Sequence, residues 1–583
     1  MAKHSISHFS ISFLLSLCFA YLLIGFLNSV LDSTLAIIIA TLIVMTIANI
    51  LIYLSLQNSV GRVALSEISE GRIETNSQSN PFLLFLPIFF FATIYICLQF
   101  PDIFSIEYIS IPQKYLLTFI ITALITLLWT PMACHWIVQK QTFVLHNKTG
   151  IYLGGMFFLI HLILSRALNH PALSHNVVLF EADAGPWMEI LASPNSSPIN
   201  RAVHPLSLII IRPLMRLISF WMGEHYQLGA MLVVSVTAGL CVFMAYLFIK
   251  RATESKVYAF LFATLLGFSA SHLLFGSLTE NYIFGTASLI FFFLLIQANE
   301  KRFSILVPAG LILFGITITN IAQGVIGLFF NKNLSTNQPA LTAVLGGQNK
   351  IKKFFNQYGF SRLILYSILI FIFGILLTFF TNFIYPKSIT LFFNPQDIAV
   401  EFGFVKISGA EPQTNLTEKF QVLTRTMALY GMVAPDVLEV ISKKPPFPTI
   451  DLKTFDIRTH ALASYKGLAN IPLVLWLILL TGCAFAFIKN IRNSKHLSLM
   501  LGLLGALGFN FLMHLFYGTE LFLYTPYWMY ALVFFMALSL SDYAQKTWLQ
   551  IILAIIVLVI VINNFNFIFS ILKSIEPFYI ATP

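Results

Sequence analysis

Two acids stand two residues apart in the stretch LFEADAGPWMEIL, Leu179 to Leu191: Glu181 and Asp183, with Glu189 beyond them. On a helix, positions two apart point in nearly opposite directions, whereas on extended chain they share a face. Gly185 and Pro186 place the helix start after Asp183, because proline favours a first helical turn. The acids are therefore expected on extended chain, where both carboxylates can face one ligand. They could hold a divalent ion such as Mg or Mn, or one of them could act as a general base. Glu189 falls further along the short helix and reads as a charge placed for the helix dipole. The spacing alone leaves a second reading open, an acidic solvated loop that caps a helix. The same loop continues through PINRAVHPL, which sets Arg201 and His204 just before an apolar segment. An arginine there suits an anionic phosphate through forked hydrogen bonds. A snorkelling arginine and a histidine that ends the loop before Pro205 fit the spacing equally well.

Further along, FGSLTENYIFG puts Glu280, followed by Tyr282, at the start of an apolar run. FYGTELFLYTPYW puts Glu520 in the same setting, among Tyr517, Tyr524 and Tyr527. An acid at the hydrocarbon edge costs free energy unless it is satisfied, so such acids are candidates for function. The tyrosines fit an interfacial aromatic belt, although aromatic faces also stack on sugar rings. Asn320, in the sequence TITN at the centre of a long apolar run, joins Glu280, Tyr282 and Glu520 as a candidate for substrate contact. No glycine-rich phosphate loop ending in Lys-Ser or Lys-Thr occurs, which disfavours an ATP-driven pump. No apolar run carries the dense charge series of a voltage sensor or proton relay.

The elements that must position these residues are apolar throughout. Of 583 residues 58% are hydrophobic and 10% charged, with a mean hydropathy of +0.83, and apolar runs of membrane-crossing length recur from end to end. The chain thus reads as an all-α polytopic membrane protein. Its net charge of +10 is taken as basic loops facing the cytoplasm rather than as a nucleic-acid surface. Cys18, Cys97, Cys134, Cys241 and Cys483 lie in or beside apolar runs at no metal or redox spacing and read as small buried hydrophobes. The N-terminal apolar run lacks a clear small-residue cleavage site, and a second run follows at once, so it reads as a retained helix.

Runs of roughly 17–25 residues predict spans near 9–30, 34–56, 80–99, 114–137 and 150–168. Further spans are predicted near 227–249, 256–275, 282–298, 303–330, 362–384, 468–488, 497–516, 521–541 and 548–572, about 14–15 helices in all. The segment 206–222 carries Arg212, Pro213 and Arg216 in its middle. If it crossed the membrane, the basic loops KRATESK and NEKR would face outside, against the positive-inside tendency. An interfacial or dipping segment puts both inside. The run 303–330 is too long for one straight span, and two short helices meeting at TITN would return the basic stretch 331–361 to the inside. The outer face then collects the 169–205 loop, Glu280, TITN, the 385–467 segment and Glu520. Four parts follow: an N-terminal four-helix extension (1–149), a membrane core (150–384), an extracytoplasmic insert expected to hold a small ordered element (385–467), and C-terminal transmembrane helices (468–583).

Taken in order, these motifs resemble the polytopic, lipid-linked-sugar glycosyltransferases of the GT-C class, nearest the bacterial branch similar to protein O-mannosyltransferases. The class has an acidic pair in the first extracytoplasmic loop of its core, matched by Glu181 and Asp183. In this branch a short helix and a His-Pro step before an apolar segment come next, as in EADAGPWMEIL and RAVHPLSLIIIRPL. Two spans later come a small-residue stretch, an acid and an aromatic, matched in LLGFSASHLLFGSLTENYIFGTASL by Glu280 and Tyr282. The likeness covers 150–330 and only topology after that. The pair here is Glu-x-Asp rather than the commoner Asp-containing variants, and it follows the fifth span instead of the first.

The resemblance implies a GT-C-like core with short interfacial helices. It implies a sugar donor carried on polyprenyl phosphate within the lipid bilayer, and an acceptor that is a glycan, lipid or protein. Transfer would invert the anomeric centre on the outer, periplasmic face of a bacterial inner membrane. Asp183 or Glu181 would be the base, and Arg201 with Arg212 would hold the leaving phosphate. Glu280 and His204 would position the acids or the acceptor, while use of a divalent ion varies within the class. Two other readings stand beside it. A transporter or flippase for a lipid-linked saccharide calls for polar residues at the bilayer midplane and internal pseudo-symmetry. An O-antigen-type polymerase or ligase calls for essential arginines and a histidine within 385–467, and leaves the acidic pair unexplained. The topology is tested by cysteines introduced at Ser196 and Lys350 and probed with a membrane-impermeant thiol reagent. The first should label from outside and the second only from inside; the reverse pattern removes the shared outer face.

Overall fold

Chain in an apolar medium must satisfy its backbone groups within each segment, and a helix does so. The protein, seen here as a computed structural model, is mostly helical. The structure describes residues 34–66, 142–169, 179–196, 201–222, 225–331, 360–386, 391–399, 415–442 and 449–579, with isolated positions at 12, 13, 15–17, 120, 121 and 401. Apart from those isolated positions, the predicted spans 9–30, 80–99 and 114–137 lie outside the described residues. Among the described residues six helices are long and apolar enough to cross a membrane: Lys148–Leu168, Tyr226–Thr253, Arg362–Ile384, Gly467–Asn490, Leu497–Phe516 and Thr547–Ser574. Shorter apolar helices, among them Tyr282–Gln297 and Pro526–Ser539, complete the set.

The chain divides into two units, one of Met1–Met156 with Leu217–Gly229 and one of Phe157–Arg216 with Ala230–Pro583. Within the first, Ser12 donates a hydrogen bond of 2.8 Å to Asn49 of the helix Thr34–Ser66, and both side chains are buried. The candidate site belongs wholly to the second.

Three predicted spans are interrupted in the second unit, and in each the freed backbone groups find other partners. The run 303–330 breaks at TITN into Phe303–Ile316 and Asn320–Asn331, as its length required. The segment 203–206 fills the gap. Ile318 N–H donates to Val203 (3.0 Å), Leu206 N–H to Gly315 (2.9 Å), and His204 Nδ1 lies 2.7 Å from the Ile316 carbonyl. The run 256–275 is not continuous either: Lys256–Gly267 ends, and Ser269 caps a short helix Ala270–Phe275 by accepting from His272 N–H. Ala270 and Ser271 instead donate to the carbonyls of Met432 and Gly431. The run 521–541 opens with a 3-10 turn at Leu521–Tyr524, and Pro526 then starts the helix Pro526–Ser539.

The segment 206–222 folds as two helices, Ser207–Ile210 and Arg212–Trp221. Leu214, Leu217, Phe220 and Trp221 of the second helix are exposed, whereas Arg212 and Arg216 turn to protein carbonyls. Strands are few and fall within 385–467. There β1 (Leu438–Ser442) pairs antiparallel with β2 (Thr449–Lys453), and β3 (Phe455–Asp456) with β4 (Ala461–Leu462). The helix Leu416–Arg425 is capped by Asn415, whose side chain accepts from Glu418 N–H at 2.7 Å. Val422 and Leu423 of this helix, Phe455 of β3 and Leu521 form one buried cluster, against which Phe511, Leu515 and Tyr524 pack.

One asparagine ties the break at Phe268 to the segment 432–434. Asn564, fully buried in the last long helix, accepts from Ala434 N–H (2.9 Å) and donates to the carbonyls of Phe268 (2.8 Å) and Met432 (2.7 Å). Its replacement by leucine takes the partner from the Ala434 N–H and the Phe268 carbonyl and leaves the Met432 carbonyl with Ala270 N–H alone. The Asn564→Leu variant should lose on the order of 2–4 kcal/mol, read as a clear drop in melting temperature of the detergent-solubilised protein. An unchanged melting temperature would mean that water or other groups serve those carbonyls.

Candidate functional site

The acidic stretch is built on the edge of β2. Leu179 forms a parallel bridge with Leu452, and Phe180 N–H donates to the Leu452 carbonyl at 2.9 Å. Ala182 N–H then returns to the Leu179 carbonyl at 2.8 Å, closing a tight turn. Phe180 and Glu181 take left-handed backbone conformations, with φ of 52° and 58°. Each costs an L-residue roughly 1–2 kcal/mol, so the surroundings must hold them. The Phe180 ring is fully buried against Phe522 and Phe567, at centroid distances of 4.9 and 5.8 Å. The acids thus sit on a strained turn instead of the expected extended chain, because the strand edge captures the backbone just before them. The helix does begin after Asp183, at Ala184, and runs to Ala192. Glu189 is exposed on that helix.

Glu181 and Asp183 line a cavity of about 390 Å³ together with Arg201, His204 and four tyrosines, Tyr282, Tyr517, Tyr524 and Tyr527. Each acid has a cation beside it. Lys453 Nζ lies 3.2 Å from one Glu181 oxygen, and Thr519 donates its hydroxyl to the other. Arg201 reaches Asp183 at 3.4 Å through Nη1 and Glu401 at 3.5 Å through Nη2; Glu401 in turn accepts from the Tyr517 hydroxyl at 2.8 Å. Burial pushes the Asp183 carboxyl above its ordinary range, Arg201 pulls it down, and Glu181 adds to the rise. The result is an ionisable base with a dampened charge, poised nearer neutrality than a surface aspartate.

His204 is held neutral, its pKa pushed down to about 3 by burial and then by Arg201. Nδ1 therefore carries the proton it donates to the Ile316 carbonyl. The Asn281 side chain 2.7 Å from the same nitrogen then presents its oxygen rather than its amide nitrogen. This tautomer leaves Nε2 with a lone pair. Thr317 bonds the Tyr527 hydroxyl at 2.6 Å and extends the polar wall.

The other predicted residues lie in different settings. Tyr282 is buried and lines the cavity. Glu280 is sealed from solvent next to Asp183, and burial first, then the Asp183 carboxylate, push it well above the usual carboxylate range. Asn320 lies behind the cavity against Tyr527, fully buried, with no hydrogen-bond partner for its side chain among the described residues. Arg212 is not brought to the acids. It donates to the Ile190 and Ser193 carbonyls, closing the C-terminal end of the helix that follows Asp183.

Glu520 is buried beneath the cavity and accepts from Thr454 N–H (3.0 Å), the Thr454 hydroxyl and Phe522 N–H (3.3 Å). It thereby joins β2 to the turn that follows Leu497–Phe516. Reasoning from sequence missed Lys453, Glu401, Thr519 and Lys419, whose ammonium donates to the Gly518 carbonyl. Lys453, Glu401 and Lys419 stand in no motif, and Thr519 is a lone hydroxyl within FYGTELFLYTPYW. Burial lowers Lys419 to about 8, against the pull of Glu181 and Glu520.

Among the described residues no group of three or more His, Cys, Asp or Glu side chains is placed to hold a metal. Glu181 and Asp183 each already face a side-chain cation, Lys453 and Arg201, an arrangement that does not fit a divalent ion between them. Fold and site together define a mostly helical protein with helices of membrane-crossing length and a charged, tyrosine-walled cavity. Compared with protein-family models, with curated proteins and with solved structures, the chain gives no match.

Glu520 gives a pH dependence with a definite sign. Burial raises its pKa from 4.5 to about 7, against the pull of its bonds to Thr454 and Phe522. A folded-state pKa above the unfolded one contributes stability that is complete below about 4.5 and is lost as pH rises through about 7, worth roughly 3 kcal/mol. Amide protection across 449–462, the exchange rate corrected for the intrinsic base-catalysed rate at each pH, should therefore be higher at pH 5 than at pH 7.5. Glu520→Gln should flatten that difference, even though its amide sits less well against the same N–H donors. A slope that survives in the variant would assign it to another group.

Proposed function

We propose that the chain is a membrane glycosyltransferase of the GT-C class, taking a sugar from a polyprenyl-phosphate carrier and passing it to an acceptor hydroxyl with inversion. The observation that carries this reading is a base and an anion-binding group on one cavity wall, Asp183 beside Arg201, with tyrosines around them. On this reading residues 150–384 form the GT-C-like core and 385–467 an extracytoplasmic insert. The cavity opens to the periplasm of a bacterial inner membrane.

Asp183 takes the proton of the acceptor hydroxyl as its oxygen attacks the anomeric carbon. The bond from that carbon to the phosphate oxygen breaks, and the electron pair leaves with the phosphate. Arg201 stabilises the charge that develops there, so no protonated leaving group is needed. Asp183 suits the base better than Glu181, which Lys453 and Thr519 engage from two sides. Glu181 then fixes the turn and the local charge. His204 Nε2 and the Tyr282 hydroxyl offer hydrogen bonds to sugar hydroxyls, and the tyrosine faces offer stacking surface.

A flippase for a lipid-linked saccharide is the second reading. It draws on Asn320 and Gln323, both buried, whose side-chain amide nitrogens have no partner among the described residues. Transfer of radiolabelled sugar from polyprenyl phosphate by the purified protein in detergent, with and without EDTA, separates the two. Asp183→Asn should lower turnover by about 10²–10⁴-fold, and Glu181→Gln should abolish transfer as well, with both proteins still folded. Full activity in both variants sinks the mechanism, and transbilayer movement without transfer favours the flippase.

A further inference from the structure

Arg201 is shared unequally between its two carboxylates. Its Glu401 end is buried, with 9% of that side chain exposed, and Tyr517 fixes Glu401 from behind. Its Asp183 end is open, with the two side chains 35% and 40% exposed, and rests on one contact of 3.4 Å. Both contacts, 3.4 Å to Asp183 and 3.5 Å to Glu401, exceed the about 2.7–2.9 Å of a well-seated charge-assisted bond, so exposure is what sets the Asp183 end apart as the one a ligand can reach. Arg201 and Asp183 both line the cavity.

We propose that a phosphate ester docks on Arg201 by taking the place of Asp183, so that donor binding releases the carboxylate that serves as base. This rests on the reading under Proposed function and adds an order of events to it. The phosphate presents two oxygens to the guanidinium fork, a better match than the single long contact it replaces. One anion leaves the guanidinium as another arrives, so the buried Glu401 contact keeps its charge balance and Arg201 keeps its place. Asp183 loses the cation that held its basicity down and faces the cavity where the acceptor binds. Before the donor arrives the base is masked, and an acceptor or a water molecule meets a carboxylate already paired.

The test is binding of polyprenyl phosphate, without sugar, to the full-length protein in nanodiscs. Asp183→Asn removes the competing anion and should tighten binding about two- to fivefold, the scale of an exposed ion pair. Glu181→Gln removes the same charge from the same wall without touching Arg201 and should tighten binding less than Asp183→Asn does. Arg201→Met should lose the binding. Equal tightening in the two acid variants, or none in Asp183→Asn, overturns the exchange. Inorganic phosphate and phosphatidylglycerol run alongside as probes. Tightening with any of the three supports the exchange and names its source, and with none it fails. Wild-type transfer is measured in parallel: activity without the Asp183→Asn effect overturns this inference alone, whereas no transfer and no carrier binding overturn the functional reading with it.

Discussion

Three consecutive residues at the end of β2 hold the two acidic loops of the second unit. Leu452 takes the backbone of Leu179 and Phe180, Lys453 pairs with Glu181, and Thr454 binds the carboxylate of Glu520. A strand edge offers main-chain donors and acceptors at fixed spacing, which a helix surface cannot. That is why a hairpin appears in an otherwise helical protein, and why it appears here. Without it the left-handed pair Phe180 and Glu181 would relax, since neither is a glycine and nothing in their own chemistry favours that conformation.

The hairpin also sets the electrostatics. Carboxylates this close together cannot all stay ionised unless cations are interleaved. Lys453 and Arg201 serve Glu181 and Asp183, and Arg201 reaches Glu401 as well. Glu280, buried beside Asp183, is pushed well above the usual carboxylate range by burial first and then by that neighbour. Burial and neighbouring charge thereby shift the proton affinities of Asp183 and Glu280 upward.

Much of this was legible in the residues, and what was not has physical reasons. Proline and glycine after Asp183 placed the helix start correctly, and the length and polar centre of 303–330 required the break at TITN. The ordered segment within 385–467 followed from its polarity and length. The left-handed turn did not, because it arises from a strand captured out of 385–467 and not from a glycine. Lys453, Glu401 and Thr519 carried no signal, since a lone charge or hydroxyl in a loop acquires meaning only from what folds against it. Tyr517, Tyr524 and Tyr527 were visible as a cluster. An aromatic belt and a cavity wall use the same residues, and only the side chains' neighbours tell them apart.

The separation between partners has a bearing on how the protein is made. Glu181 leaves the ribosome 272 residues before Lys453 and 338 residues before Thr519. Synthesis runs from the N-terminus and earlier parts fold first, so for most of translation the acidic turn has neither its counter-ion nor its strand. The arrangement is finished only when nearly all of the chain has been inserted. A truncated or stalled product would display the motif intact and yet lack the partners that set its charge, so completeness of biosynthesis is itself the latch on the shape and electrostatics of the cavity.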